Sequence, residues 1–194
     1  MENRTAKIKR RTKETDICVE INLDGIGSFE IDTGIAFLDH MLTHLSKHSK
    51  IDMKIKAKGD LEVDAHHTAE DIAICLGGAL EKALGDKKGI ARYGHSSVPM
   101  EDALANAAVD LSGRPYCAYN VDYRTDKIGD FDIQCVEELL RSFANHGKFN
   151  LHVIVPYGTN SHHMAEAIFK ALGQCLREAV QIVAGDIPST KGVL

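Results

Sequence analysis

Two histidine doublets, each with a glutamate three residues beyond the second histidine, have the spacing of metal ligands. They lie at residues 66–70 (His-His-Thr-Ala-Glu) and 162–166 (His-His-Met-Ala-Glu). Neutral imidazole and ionised carboxylate are both available at pH 7, and both bind divalent cations. Because the set has no thiolate, it fits manganese, iron, zinc or cobalt. The predicted ligands are His66, His67, Glu70, His162, His163 and Glu166.

Each doublet stands at the start of a predicted helix, with Asp64 and Ser161 as the expected N-caps. At about 100° per residue, the glutamate lies near the face of both histidines, whereas the adjacent imidazoles point in different directions. Neighbouring imidazoles therefore serve different metal ions more easily than the same ion. Two doublets with two glutamates predict a pair of metal sites.

The segments around the doublets are two copies of one unit. Residues 66–84 and 162–180 align with an offset of 96 and share nine identities in nineteen positions. The preceding segments, 39–54 and 137–152, align with an offset of 98. The difference of two residues falls in the loop before the doublet. A single doublet is explained as easily by surface or capping histidines, but two copies in register favour metal binding.

The helix that precedes the first doublet offers further ligands. His40 is expected to join the metal cluster, and its counterpart in the second copy is Glu138, a carboxylate that also binds metal. His44 and His48 follow at intervals of one helical turn. We expect these two histidines to lie on a solvated helix face.

Hydrophobic periodicity gives the same order of elements in each half, strands followed by helix, strand and helix. In the first half the predicted elements are strands at 17–23 and 28–31, a helix around 37–45, a strand at 51–57 and a helix at 66–84. In the second they are strands at 108–111 and 116–121, a helix at 133–145, a strand at 149–155 and a helix at 161–183. We predict an α+β fold in which residues 1–90 and 91–194 are halves of one compact domain, with helices packed between two sheets.

Composition excludes several classes of protein. The 194 residues carry 23 Lys and Arg against 28 Asp and Glu, a net charge of −5, and there is no Trp, which argues against a nucleic-acid binder. No apolar run is long enough for a membrane span or a secretory signal. The five cysteines form no Cys-x-x-Cys pair and are expected to be reduced thiols. A cytoplasmic location is therefore expected.

Six ordered motifs resemble the imidazoleglycerol-phosphate dehydratase family over essentially the whole chain. They are residues 11–15 (RTKET), 34–41 (GIAFLDHM), 64–71 (DAHHTAED), 110–115 (DLSGRP), 161–171 (from SHH to FKA) and 188–193 (PSTKGV). The resemblance implies a duplicated β-β-β-α-β-α unit of the ribosomal protein S5 domain 2-like type, with mixed sheets. It also implies two Mn²⁺ ions per active site. Sites of this family lie at contacts between subunits in a homo-oligomeric shell of about 24 copies.

The resemblance also assigns roles to residues. The implied metal ligands are His40, His66, His67, Glu70, His162, His163 and Glu166, and Glu138 stands where many members of the family have a histidine. Arg92, Arg114 and Lys191, with Ser189 and Thr190, are similar to phosphate-binding positions, as suits a phosphate dianion. The remaining predicted substrate contacts are Glu14, His40, His48, His66, His162 and Lys170.

The implied reaction, a step of histidine biosynthesis, removes water from D-erythro-1-(imidazol-4-yl)glycerol 3-phosphate and gives 3-(imidazol-4-yl)-2-oxopropyl phosphate. The hydrogen removed is not next to a carbonyl, so an imidazolate held by two metal ions is the expected electron sink. Glu14, in a matched motif outside the doublets, is the hypothesised general base. Two alternatives use the same ligands: a dinuclear metallohydrolase, and a non-catalytic metal-binding assembly protein.

Overall fold

The computed structural model describes residues 4–183 and 185–194, and its first half forms a four-stranded sheet with two helices. The elements are β1 (Thr5–Arg11), β2 (Thr15–Asn22), β3 (Phe29–Asp32), α1 (Ala36–Ser49), β4 (Asp52–Gly59) and α2 (His66–Leu84). The strand order is β1-β2-β4-β3, with β3 parallel to β4 and the other pairs antiparallel.

The second half repeats this plan and adds a short hairpin. Its elements are β5 (Tyr93–Met100), β6 (Ala103–Asp110), β7 (Tyr116–Asn120), β8 (Lys127–Ile128), β9 (Phe131–Asp132), α3 (Gln134–Gly147), β10 (Asn150–Tyr157) and α4 (Ser161–Ala179). The large sheet has the order β5-β6-β10-β7, again with one parallel pair, between β7 and β10. The predicted α+β fold, with its duplicated unit and mixed sheets, is confirmed.

The helices fill the space between the sheets because each has an apolar stripe. Leu38, Met41, Leu42 and Leu45 of α1 are buried at helical spacing, and α2 and α4 are buried along similar stripes. Helix α2 packs on β1 and β2, and α4 packs on β5 and β6. The helices also pair across the two halves, α1 with α4 and α2 with α3.

A glycine allows the helices of each pair to approach closely. A Cβ atom at Gly77 of α2 would lie 2.6 Å from the backbone nitrogen of Gly147 in α3, and one at Gly173 of α4 would lie 2.8 Å from His48 Cβ in α1. These two glycines occupy the same position of the repeat. The crossing of α1 and α4 carries His40 to the first turn of α4, where the second doublet lies.

Several predicted elements need correction. The periodicity missed β1 and β5, because β1 is rich in exposed Lys and Arg while β5 has few apolar residues. It also missed the β8–β9 hairpin, and the strand at 108–111 begins earlier, at Ala103. The last helix ends at Ala179 instead of residue 183, since the chain turns so that Ile182 can pair with Ile90 in an isolated bridge.

The cap of the second doublet's helix is also not the predicted one. Asn160, the counterpart of Asp64, accepts hydrogen bonds from the backbone N–H groups of His162 and His163. Ser161 is the first helical residue, and its hydroxyl oxygen accepts from the backbone of Arg124 instead. In the first doublet, Asp64 does accept from the N–H of His66, at 2.7 Å, although it lies one residue before the N-cap position.

The prediction that the cysteines are reduced thiols agrees with the structure. All five cysteines are free thiols, and three of them are buried. Within the described residues, every helix is too short or too polar to cross a lipid bilayer.

Candidate active site

Three of the predicted ligands converge where α1 meets the start of α4. The Nε2 atoms of His40 and His162 each lie 3.3 Å from Oε2 of Glu166. One ligand atom from each residue falls within 4.8 Å of the others, and in the described part of the chain this is the one such group of three. Two imidazole nitrogens and a carboxylate oxygen suit a divalent ion such as manganese.

Glu166 is kept ionised by its surroundings. The residue is 6% exposed, and its Oε1 atom lies 2.6 Å from Nζ of Lys170, one turn further along α4. Burial acts to raise the pKa of Glu166, but the hydrogen bond from Lys170 and its positive charge hold that pKa at about 2. The carboxylate therefore stays in the form that binds cations.

His44 belongs to this cluster, which corrects the expectation of a solvated face. Its Nε2 atom lies 3.3 Å from Glu166 Oε1 and 3.3 Å from His40 Nε2. Burial lowers the pKa of His44 to about 4, so its imidazole is neutral at pH 7. The spacing of four residues from His40 was the available signal, because it places both imidazoles on one face of α1.

The other histidine of the second doublet, His163, is held from outside the helix. Its Nδ1 atom lies 2.6 Å from Oδ1 of Asp102, in the turn between β5 and β6. The ring planes of His162 and His163 are 84° apart, so the two imidazoles face different directions, as the helical geometry predicted. The hydrogen bond with His163 is the main cause that lowers the pKa of Asp102.

The first doublet is more open. His66 is exposed, while His67 Nδ1 lies 3.0 Å from Oδ2 of Asp60 and 4.0 Å from Oε2 of Glu14. The hydrogen bond with Asp60, followed by the charge of Glu14, raises the pKa of His67. The ring planes of this doublet are also 84° apart. Glu70 is half-buried on α2.

Glu138 does not complete the first doublet in the way that His40 completes the second. It lies on α3 and accepts a long hydrogen bond of 3.4 Å from Ser142 Oγ, one turn further along the same helix. No metal-capable group among the described residues contains it. Its role as a ligand stays a prediction.

The predicted phosphate contacts share one cavity, of about 610 Å³, apart from the doublets. It is lined by Arg92, Arg114, Ser189, Thr190 and Lys191. Nε of Arg92 donates to Asp110 at 2.7 Å, and one of its terminal nitrogens donates to the carbonyl of Pro188 at 2.8 Å. These bonds fix the guanidinium beside the C-terminal segment that supplies the hydroxyl donors.

Two other predicted substrate contacts lie elsewhere in the chain. Lys170 is engaged with Glu166, and the predicted contact His48 lines a cavity with Lys47, Lys50 and Arg177. The structure therefore brings together the five phosphate candidates but leaves His48 and Lys170 outside their cavity. Each of these residues keeps its role as a prediction.

Comparison with known proteins agrees with this arrangement. The family model described as "Imidazoleglycerol-phosphate dehydratase" matches residues 33–176. The chain belongs to the imidazoleglycerol-phosphate dehydratase family. The dehydratase of Desulforudis audaxviator is 54% identical over 192 residues, which is 98% of both chains. That of Ruegeria pomeroyi is 55% identical over 194 residues, covering 98% of this chain and all of the relative.

Solved dehydratase structures share the fold. The enzyme from Pyrococcus furiosus, in complex with (S)-C348, superposes with a TM-score of 0.85 at 40% identity, covering 96% of this chain and 100% of that one. The Staphylococcus aureus enzyme gives a TM-score of 0.84 at 36% identity, covering 92% of this chain and 99% of that one. The predicted family and dehydratase function are confirmed.

Proposed function

We propose that this dehydratase removes water from D-erythro-1-(imidazol-4-yl)glycerol 3-phosphate with the help of two Mn²⁺ ions per active site. The observation that carries the proposal is the convergence of His40, His162 and Glu166 from two halves of the chain. Family membership favours this reaction over a dinuclear metallohydrolase and over a non-catalytic assembly protein.

The ligand set divides between the two doublets. His40, His162 and Glu166 hold one ion. The other proposed ligands, which coordinate the second ion, are His66, His67, Glu70, Glu138 and His163. These residues offer only nitrogen and oxygen, which is the donor chemistry that manganese accepts. When bound, the ions supply positive charge that stabilises negative charge on the substrate imidazole.

Glu14 is the proposed general base. It stands in the turn between β1 and β2, where its backbone N–H donates to Thr12 Oγ1 at 3.0 Å, and its carboxylate faces His67. A carboxylate beside the ligand doublet can accept the proton that leaves the substrate carbon, while the electron pair of that bond stays with the substrate. The side chain of Glu14 is 55% exposed, which leaves it accessible to a substrate.

The cavity lined by Arg92 and Lys191 is the proposed phosphate site. Its two arginines, one lysine and two hydroxyl side chains match the charge and hydrogen-bonding needs of a phosphate dianion. Binding the phosphate away from the doublets would orient the imidazole end of the substrate toward the metal ligands.

The active site is proposed to form between copies of the chain. The second doublet lies beside the predicted ligands His40 and Glu166 of its own chain, whereas His66 of the first doublet is exposed and no group of three possible ligands forms around that doublet in the described residues. A second copy that supplies the missing ligands would complete both sets, which fits a symmetric homo-oligomer of about 24 subunits. A cytoplasmic location stays a prediction from the sequence.

Turnover of the purified protein tests the proposal. We expect elimination of water from imidazole glycerol phosphate, loss of turnover after chelation, and recovery when Mn²⁺ is restored. Hydrolysis of simple phosphoesters in place of elimination would favour the metallohydrolase. A change in particle size on chelation, without turnover in any state, would favour the assembly protein.

A further inference from the structure

We propose that Asp60 and Asp102 are positioning residues that hold the second histidine of each doublet by its Nδ1–H group, so that Nε2 is free to bind a metal ion. His67 Nδ1 lies 3.0 Å from Asp60, and His163 Nδ1 lies 2.6 Å from Asp102. The inference rests on the proposed function, because it concerns how the proposed ligands are presented.

The two carboxylate oxygens of Asp102 have different hydrogen-bond partners. Its Oδ2 atom accepts from the N–H of Thr159 at 2.6 Å, from the hydroxyl of Thr159 at 2.7 Å and from the N–H of Asn160 at 2.9 Å. Among the described residues, the hydrogen-bond partner of the remaining Oδ1 atom is the imidazole of His163. An ionised carboxylate only accepts hydrogen bonds, so Nδ1 of His163 carries the proton and Nε2 carries the lone pair.

Asp102 also fixes the backbone that starts the helix. The Asn160 whose N–H it binds is the residue that caps α4 through the N–H groups of His162 and His163. One aspartate therefore constrains both the ring orientation of His163 and the segment from which the doublet emerges. Partners of this kind orient metal ligands and raise their basicity.

Asp60 makes the equivalent contact in the first half of the chain. It follows the last residue of β4, and its Oδ2 atom faces His67 while its Oδ1 atom is buried without a hydrogen-bond partner in the described residues. A buried carboxylate oxygen without a partner is unfavourable for folding. The contact with His67 gives a reason for Asp60 to be at this position.

The two aspartates do not occupy equivalent positions in the repeat. The β1–β2 hairpin pairs Thr5 with Asn22, and the β5–β6 hairpin pairs Tyr93 with Asp110. When these two hairpins are aligned, Asp102 is the counterpart of Glu14. Asp60 instead lies in the loop before α2. Glu14 still lies 4.0 Å from His67 Nδ1, so part of the arrangement around Asp102 recurs in the first half, but the closer contact of 3.0 Å comes from Asp60.

Substitution of Asp102 by asparagine tests the proposal. The amide oxygen of the new side chain can still accept from Thr159 and Asn160, but its NH₂ group would face Nδ1 of His163 and favour the tautomer in which Nε2 carries the proton. We expect Asp102→Asn to weaken Mn²⁺ binding by about 10- to 100-fold. The measurement is a Mn²⁺ titration of the full-length, metal-free protein, with its thermal unfolding recorded alongside. Asp122→Asn, at an aspartate whose side chain is 87% exposed, is the matched control and should bind Mn²⁺ as the unmodified chain does.

A double-mutant cycle shows whether Asp102 acts through His163. In a His163→Ala background, Asp102→Asn should cause no further loss of Mn²⁺ affinity. A loss of the same size with and without His163 would overturn the positioning role and indicate a general effect on the loop. The Asp60→Asn and His67→Ala pair gives the corresponding cycle in the first half.

The outcomes also separate this inference from the proposed function. Unchanged Mn²⁺ affinity in Asp102→Asn and Asp60→Asn would overturn the positioning role alone, since the unmodified protein would still bind metal and turn over. Failure of the unmodified protein to bind Mn²⁺ would overturn both. Weaker binding in the variants, with unfolding temperatures of the metal-free proteins close to that of the unmodified chain, supports the proposal.

Discussion

The two doublets have the same sequence pattern but different surroundings. At the second doublet, α1 crosses α4 and brings His40 and His44 to Glu166. At the first doublet, α3 crosses α2 in the same way, yet Glu138 joins no cluster of ligands in the described residues. The two halves therefore share the helix crossing, while the number of possible ligands beside each doublet depends on which side chains the neighbouring helix carries.

The charges around the two glutamates also differ. Glu166 has Lys170 one turn away, and the corresponding residue after Glu70 is Ile74. Glu166 is buried with a counter-charge, whereas Glu70 is only half-buried. The second doublet thus lies beside His40 and a buried Glu166 of the same chain, whereas the first doublet has no comparable cluster among the described residues.

The largest expected effect on turnover comes from replacing the two histidines of each doublet by alanine, and it tests whether the two doublets act in the same site. His66→Ala with His67→Ala in one chain, and His162→Ala with His163→Ala in another, should each abolish turnover. If active sites form between copies, co-expression of the two variants at equal levels should restore about a quarter of the sites by random mixing.

The control for this experiment is His146→Ala with His152→Ala, which removes two exposed histidines outside the clusters and should leave turnover intact. If each site lies within one chain, every copy in the mixed sample has a defective doublet. Absence of activity in that sample would then contradict the proposed division of ligands between copies.

The next largest effect is a fall in kcat, expected from Glu14→Gln beside the first doublet. Glutamine keeps the size of the side chain but cannot take up a proton, so kcat should fall by about 10²- to 10⁴-fold. Bound Mn²⁺, measured by elemental analysis, should be unchanged because Glu14 is not among the proposed ligands. Glu30→Gln, on the exposed strand β3, is the control. A normal kcat in Glu14→Gln would remove this residue from the mechanism.

The halves also differ in how tightly sheet and helix pack, and this predicts a change in stability. Gly94 pairs with Val109 as Ala6 pairs with Ile21, so the two residues are equivalent. A Cβ atom at Gly94 would overlap the carbonyl oxygen of Cys175 in α4. Gly94→Ala should therefore lower the free energy of unfolding by about 1–3 kcal/mol. Denaturant unfolding measures it, and an unchanged midpoint would show that β5 can move away from α4 freely.

The smallest effect has the opposite sign. A Cβ atom at Gly78, inside α2, would lie 3.9 Å from Ile8 Cγ1 of β1, which is ordinary contact. Gly78→Ala should raise the free energy of unfolding by about 0.4–1 kcal/mol, because alanine loses less conformational entropy in a helix. The same denaturant experiment checks this, and a destabilised variant would mean that the first half is packed as tightly as the second.

The sequence predicted the parts of the fold that depend on local pattern. The stripe that includes Met41 and Leu45 gave α1, and the aligned doublets located the starts of α2 and α4. It did not predict β5, where Gly94 replaces an apolar residue so that α4 can approach. The strand is held by antiparallel pairing with β6 along its whole length and by packing against α4, and neither contact is visible in its own sequence.

For the candidate site too, the sequence predicted the residues that follow a local pattern and missed those that come from distant parts of the chain. The ligand types at His162 and Glu166 follow from spacing on one helix, and His40 followed from the repeat and the family resemblance. Asp102 could not be found in this way, because it comes from the turn between β5 and β6 and contacts His163 only when α4 packs on these two strands. Long-range partners depend on tertiary packing, and helical periodicity carries no information about them.

The most direct test of the central claim is a crystal structure of the protein grown with Mn²⁺ and recorded with anomalous scattering. We predict an anomalous peak between the Nε2 atoms of His40 and His162 and the carboxylate of Glu166. Well-ordered side chains at these three residues with no peak between them would contradict the account.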